Sequence, residues 1–333
     1  MWREVKNLLC VRLDNMGDVL MTTPAIRALR ETLGCRITLL ASPAGAALAQ
    51  LVPEVDEAIA FNAPWMKPPP GDEAPILERI KGFDAAAVFT VYSQSALPAA
   101  YLCYLAGIPR RLAHCRENPY HLLTDWLPES EPASTVRHEV RRQLDLVAAV
   151  GCRTANERLS FHVPQSARES LPQLPQPLIV VHPGASAASR RYPPESYARA
   201  LDMLGQEVVF TGGAAEVELV ESLRRSMSVP SRSLAGELSL AELGALIEAA
   251  HLLICNNTGP AHIAAALGTP VVDLYALTNP QHTPWQVESR VLFNDVPCRN
   301  CYKSVCPTGH HECLRGVAPE RVAAAARELL LTA

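Results

Sequence analysis

Four short stretches of this 333-residue chain combine glycine or small residues with groups that bind anions or move protons. Gly17-Asp18 follows an apolar run and opens a helical one. Free backbone N–H groups and a positive helix end favour an anion there. A carboxylate at such a mouth suits a general base for a hydroxyl nucleophile, and it suits a first-turn dipole partner equally well. His182-Pro183-Gly184-Ala185-Ser186 runs on to Arg190-Arg191-Tyr192-Pro193. Two adjacent guanidiniums can clamp a diphosphate leaving group without a metal. Phe210-Thr211-Gly212-Gly213 with Glu216 fits a turn facing a nucleoside, its carboxylate toward ribose hydroxyls. In Asn256-Asn257-Thr258-Gly259-Pro260-Ala261-His262, Thr258 is the expected N-cap. The amides of Thr258, Gly259 and Ala261 suit a phosphate, with His262 on the first turn.

Six of the ten cysteines (Cys10, Cys35, Cys103, Cys115, Cys152 and Cys255) stand singly in apolar segments and read as buried small hydrophobes. Cys298, Cys301, Cys306 and Cys313 are clustered, with His310 and His311 among them. Reduced thiols, a disulfide pair and a tetrahedral Zn or Fe site all fit that spacing. A metal held by four thiolates would be structural, since no position stays open for substrate. Two basic runs, Arg110-Arg111 with His114 and Arg116, and Arg137 to Arg142, suit either solvated faces or an anionic ligand. His138 and Arg141 share a helix face at i, i+3.

The elements that must position these groups form two series. Each begins with an apolar strand (Val5–Leu13, then Leu178–His182), a glycine-containing loop and a helix (Val19–Leu33, then Pro194–Leu204). Further strands are expected at Arg36–Ala41, Glu57–Phe61 and Ala85–Thr90, and at Glu207–Thr211, Leu252–Cys255 and Pro270–Leu274. Strand, loop and helix in alternation predict an α/β protein with parallel sheets. Two doubly wound lobes facing a cleft follow, with ligands outside the carboxyl ends of the strands. The expected divisions are residues 1–165, a proline-rich linker at 166–177, a lobe at 178–318 and a last helix within 319–333. Asn62–Asp72, rich in proline, reads as a long loop.

Hydrophobic residues at 48% and charged ones at 19% exclude disorder and coiled coil. A net charge of −4 gives no general attraction for nucleic acid or an anionic membrane. No stretch approaches the roughly 18 apolar residues of a membrane span. Met1 to Glu4 lead straight into a strand with no signal-peptide core, so a cytoplasmic location is expected.

Taken in order, these motifs resemble glycosyltransferase family 9, the lipopolysaccharide heptosyltransferases, over nearly the whole chain. The likeness rests on Arg12 through Arg27, His182-Pro183-Gly184-Ala185 with Arg190 to Pro193, and Thr211-Gly212-Gly213 with Glu216. It continues through Leu234-Ala235-Gly236, Asn257 to His262, and Tyr275 to Trp285 with Thr278, Pro280 and His282. The resemblance implies a GT-B fold and transfer, without a catalytic metal, from a nucleotide diphosphate sugar, typically ADP-heptose. Asp18 would be the base and Arg190 would neutralise the departing diphosphate. Ser186, Glu216, Leu238, Asn257, Thr258, Gly259 and His262 would hold the donor. Gly17, Arg111, His138 and Arg141 would meet a phosphorylated glycan acceptor such as Kdo-lipid A or core oligosaccharide, with peripheral contact at the inner membrane through its lipid. Relatives with a similar cysteine-rich finger favour the metal reading. Asn257 departs from the family's Asp and Arg190 from its frequent Lys, which leaves the donor sugar open. An epimerase or hydrolase acting on nucleotide sugars, and a non-catalytic binding protein, remain as alternatives.

Overall fold

The computed structural model describes residues 2–66 and 74–332. Pro68, Pro69 and Pro70 of the expected long loop lie outside the described residues. The chain forms two compact units, Met1–His162 and Val163–Ala333.

The first unit holds a six-stranded parallel sheet of β1 (Asn7–Arg12), β2 (Arg36–Ala41), β3 (Glu57–Ala60), β4 (Ala85–Val88), β5 (Arg110–Cys115) and β6 (Asp125–Pro128). Its spatial order is β3-β2-β1-β4-β5-β6. The central strands are nearly continuous apolar runs, as sheets covered on both faces require. Helices α1 (Met16–Leu33), α2 (Pro43–Ala49), α3 (Ala74–Arg79), α4 (Leu97–Leu105) and α5 (Glu139–Ala148) connect and cover them. α1 continues through Pro24, which has no N–H to give the carbonyl of Leu20. The Thr23 hydroxyl donates to that carbonyl at 2.6 Å instead, and Thr22 donates to Asp18 O at 2.8 Å. β5 coincides with the first basic run. Arg111 and His114 are both buried in it, so this run is a strand and not a solvated loop.

The second unit repeats the plan with β7 (Ile179–His182), β8 (Val208–Phe210), β9 (Ser231–Ser233), β10 (Leu252–Asn256), β11 (Val271–Leu274) and β12 (Ser289–Leu292). Their order, β12-β11-β10-β7-β8-β9, is the same doubly wound arrangement. Here α6 (Gln165–Glu169), α7 (Pro194–Leu204), α8 (Val217–Arg225), α9 (Leu240–Ala249), α10 (Gly259–Leu267), α11 (Glu312–Arg315) and α12 (Pro319–Thr332) complete the layers. α6 occupies the start of the stretch expected as a linker and packs on α9, so the second unit begins before Pro172 and its neighbouring prolines. α12 lies along α7 and closes the core around Tyr197, Leu201 and Leu329. In both units the chain order reverses beside the first strand, between β1 and β4 and between β7 and β10. Such switch points leave a crevice at the carboxyl ends of the strands.

Candidate active site

In the first unit the switch point is built around Arg12, the last residue of β1, which is wholly buried. Its guanidinium lies 2.9 Å from Asp14 Oδ2 and 2.8 Å from Glu139 Oε1 on α5, and 3.3 Å from Asp18 Oδ1 on the first turn of α1. Three carboxylates hold its proton above the ordinary arginine range, against the cost of burial. One cation among three acids leaves this corner electronegative. Burial pushes the Asp14 carboxyl up, Arg12 opposes it, and Gln94 Nε2 donates to it at 2.6 Å. Asp18 Oδ2 also accepts the Asn15 N–H at 3.2 Å, so the residue caps α1 while one side of it stays near the surface. Gly17 beside it carries no side chain to cover the turn.

A cavity of about 240 Å³ opens next to this cluster, lined by Asp14, Trp65, Phe89, Thr90, Gln94 and Ser95 among others. Trp65 stands edge-on to Phe61 with its ring half exposed. An aromatic face with an acid, an amide and a hydroxyl is chemistry suited to a sugar ring. None of the three side chains expected at the acceptor lines this cavity. Arg111 is buried and spends its guanidinium on the carbonyls of Ile108, His121 and Leu122. Arg141 makes a two-pronged pair with Glu157 at 2.9 and 2.6 Å. The His138 ring caps α5 by accepting from Val140 N. The sequence signal for the cavity was weak, because Asp14, Trp65 and Gln94 lie far apart along the chain.

In the second unit the two sharpest motifs flank the switch point: the loop after β7 and the turn after β10. Asn256 ties them together. Its Oδ1 accepts from Tyr192 N at 3.0 Å, and its Nδ2 donates to Pro183 O at 2.7 Å and Gly184 O at 3.3 Å. Glu216 lies over Gly184 and accepts from Gly213 N at 2.8 Å. His182 beneath it bonds Thr211 Oγ1 at 3.0 Å, and burial lowers the readiness of its ring to take a proton. Arg191 turns away to Ala185 O, whereas the buried Nε of Arg190 meets no partner among the described residues. That singles out Arg190 from the expected pair. Ser189 anchors its turn to Ser304 O at 2.8 Å.

Thr258 stands at the N-cap of α10 as expected, but its hydroxyl bonds back to Asn256 O at 3.1 Å. Ala261 N–H is taken by Thr258 O and Pro260 has none, which leaves the amides of Thr258 and Gly259 at the turn. His262 is buried on the first turn, Ser186 is exposed, and Leu238 is half-buried. Asn257 is tied down by its amide nitrogen, which donates to Asp273 Oδ2 at 3.1 Å and to His282 O at 2.7 Å.

The four clustered cysteines line one small enclosed space with Ser189, His310 and His311. All four are free thiols. Glu312 N donates to His310 Nδ1 at 2.9 Å, so the opposite nitrogen carries hydrogen toward Cys298 Sγ, 3.4 Å away. The Thr308 hydroxyl and neighbouring amides pull Cys306 down to about 7. Among the described residues, no three Cys, His, Asp or Glu side chains stand at metal-ligand spacing.

Two units, each a doubly wound parallel sheet with anion-suited loops at its switch point, follow the plan of the GT-B fold. The family model for glycosyltransferase family 9 (heptosyltransferase) matches residues 81–311, and the chain belongs to that family. It is 29% identical over 344 residues to lipopolysaccharide heptosyltransferase 2 of Escherichia coli K12, covering 95% of this chain and 96% of that one. To lipooligosaccharide heptosyltransferase 2 of Campylobacter jejuni it is 28% identical over 162 residues, spanning 51% of that protein's length. The solved structure of E. coli ADP-heptose lps heptosyltransferase II superposes with a TM-score of 0.77 at 25% identity, covering 98% of this chain and 99% of that one.

Proposed function

We propose that this enzyme transfers heptose from ADP-heptose to the inner core of lipopolysaccharide or a related surface glycan, by a single inverting displacement. The observation that carries the reading is the second unit's switch point. There the Arg190 Nε, which meets no partner among the described residues, and the Thr258-Gly259 turn lie on loops joined through Asn256, with the Glu216 carboxylate over Gly184 beside them. Arg190 and the Thr258-Gly259 turn take the diphosphate, Glu216 the ribose, and Asn257 the sugar. Ser186, Leu238 and His262 complete the donor pocket.

In the step itself the acceptor hydroxyl gives its proton to Asp18 as its oxygen bonds the anomeric carbon. The bond from that carbon to the diphosphate breaks on the opposite face, and ADP leaves with the electron pair. Charge that develops on the leaving oxygen is met by Arg190. The chain's own residues suffice for this, with no catalytic metal. The first unit is assigned the acceptor, beside Gly17 and in the cavity lined by Asp14, Trp65 and Gln94. Arg111, His138 and Arg141 brace the structure around it. No helix among the described residues is long and apolar enough to cross a membrane. The reading places the enzyme in the cytoplasm, with the lipid-borne acceptor bringing it to the inner face of the membrane.

The test is mass spectrometry of ADP-heptose turnover with and without a deacylated Kdo-containing acceptor. A heptose increment on the acceptor, with ADP released only in its presence, is the expected result. Release of ADP without acceptor would make the enzyme a hydrolase, and conversion of the donor without ADP release an epimerase. Asp18→Ala is expected to keep donor binding and lose transfer by roughly two to four orders of magnitude, the span of a general base. For the cysteine loop we assign a structural Zn or Fe held by Cys298, Cys301, Cys306 and Cys313. The four thiols line one small space without standing at ligand spacing, so the metal would have to draw them together. Elemental analysis should find about one metal per chain, and its removal should lower the melting temperature while leaving Asp18 chemistry intact.

A further inference from the structure

Asp273 is a carboxylate with no evident structural use. It lies in the middle of β11, flanked by Val271, Val272 and Leu274, and is wholly buried. Among the described residues, no cation pairs with it. Its Oδ1 has no hydrogen-bond partner among the described residues, and its one bond runs from Asn257 Nδ2 to Oδ2. Burying an acid this way is costly, and burial pushes the group up to about 7. The polar side chain that answers it is Asn257.

The chemistry of that contact says what it does. An amide group ordinarily offers two donors and one acceptor. Here both hydrogens of Asn257 Nδ2 point to oxygens, Asp273 Oδ2 and the backbone carbonyl of His282, and that carbonyl can only accept. The amide therefore cannot turn over, and Oδ1 is the polar atom left to a ligand. We infer that Asp273 is a positioning residue for donor recognition. It fixes Asn257 so that an uncharged acceptor faces the donor sugar and takes a hydroxyl hydrogen from it. A carboxylate's acceptor face is thereby kept where the family usually has Asp, without its charge. This rests on the reading of Asn257 as a sugar contact.

The experiment is calorimetric titration of the full-length enzyme with ADP and, separately, with ADP-heptose. Asp273→Asn keeps an acceptor for Asn257 and should bind both ligands as the parent does. Asp273→Leu removes it, and should bind ADP within about twofold while losing roughly tenfold on ADP-heptose. Equal weakening of both ligands, or of neither, would overturn the inference, as would a loss in Asp273→Asn like that in Asp273→Leu. If Asp273→Leu does not fold, the same contact is read from Asn257→Asp. That change sets two carboxylates together and should lose ADP-heptose affinity, and adding Asp273→Asn should restore it; no restoration overturns the inference. Asn257→Ala separates the two levels. An unchanged ratio of ADP-heptose to ADP affinity there removes Asn257 from the sugar, and the inference falls with it. A changed ratio there, with Asp273→Leu at the parent's ratio, overturns the role of Asp273 alone.

Discussion

A Cβ on Gly184 would stand 1.9 Å from Glu216 Oε1 and 2.2 Å from its Cδ, so this glycine is required by what lies over it. No backbone strain enters; the demand is for space. Gly184→Ala should displace the Glu216 carboxylate from Gly213 N–H and from the nucleoside it is proposed to hold. The expected result is a rise of about tenfold in the KM for the donor, the cost of roughly one hydrogen bond to a charged group, with kcat far less affected. Steady-state kinetics at saturating acceptor would show it. At this scale the loops at the second unit's switch point were legible: Gly184, Glu216, Asn257, Thr258 and Gly259 lie in runs of small residues after apolar strands. Asp273 was hidden for the opposite reason, since one acid in Val-Val-Asp-Leu offers no spacing to read and its contact comes from Asn257, in the turn after the neighbouring strand β10.

Helix α1 carries a proline that ought to interrupt it, and the threonines before that proline repair the gap. Leu20 O would otherwise lack a donor, and Thr23 Oγ1 supplies one from within the same turn. Thr23→Val keeps the shape and removes the hydroxyl. It should cost about 1–2 kcal/mol, including the loss of the bond that Ser160 N–H makes to the same oxygen at 2.9 Å. Urea unfolding would measure this as a lower midpoint at unchanged slope. Among the elements, the long apolar strands and the helices after them could be read from pattern alone. β5 could not, because Arg110, Arg111 and His114 break its apolar run. Only the fold reveals that Arg111 answers three backbone carbonyls, while β5 keeps Leu112, Ala113 and Cys115 in the core. β9 and β12 escaped notice as short edge strands with Ser and Arg in them.

For the whole molecule, the buried acid on β11 makes stability depend on pH in a direction unusual for a carboxylate. The folded chain keeps the Asp273 proton up to about pH 7, whereas the unfolded chain releases it near the ordinary carboxyl value of 3.8. Between those values the unfolded state binds fewer protons, so this group's contribution falls as pH rises from about 4 to 7. Asp273→Asn removes that dependence. Its stabilising effect should be larger at pH 8 than at pH 5 by on the order of 3 kcal/mol, at about 1.4 kcal/mol for each pKa unit. Melting curves across pH would show the two proteins diverging toward alkali. A constant offset would mean that the carboxyl is already ionised when folded. At this scale the α/β plan and the division into two units follow from the repeated strand-loop-helix start. The start of the second unit does not, because α6 uses Gln165–Glu169 ahead of the prolines that resemble a linker.

The bonds of Asn256 also bear on the thermodynamics of recognition. Two loops and the Tyr192 amide are joined through this one buried side chain, a contact of the fold itself, so their conformational freedom is surrendered during folding. A nucleotide held at the switch point of β7 and β10 as proposed would meet Arg190 and Thr258 on a frame that does not have to be ordered again. Less of its interaction energy is diverted into organising the protein, and more is left to distinguish one donor from another.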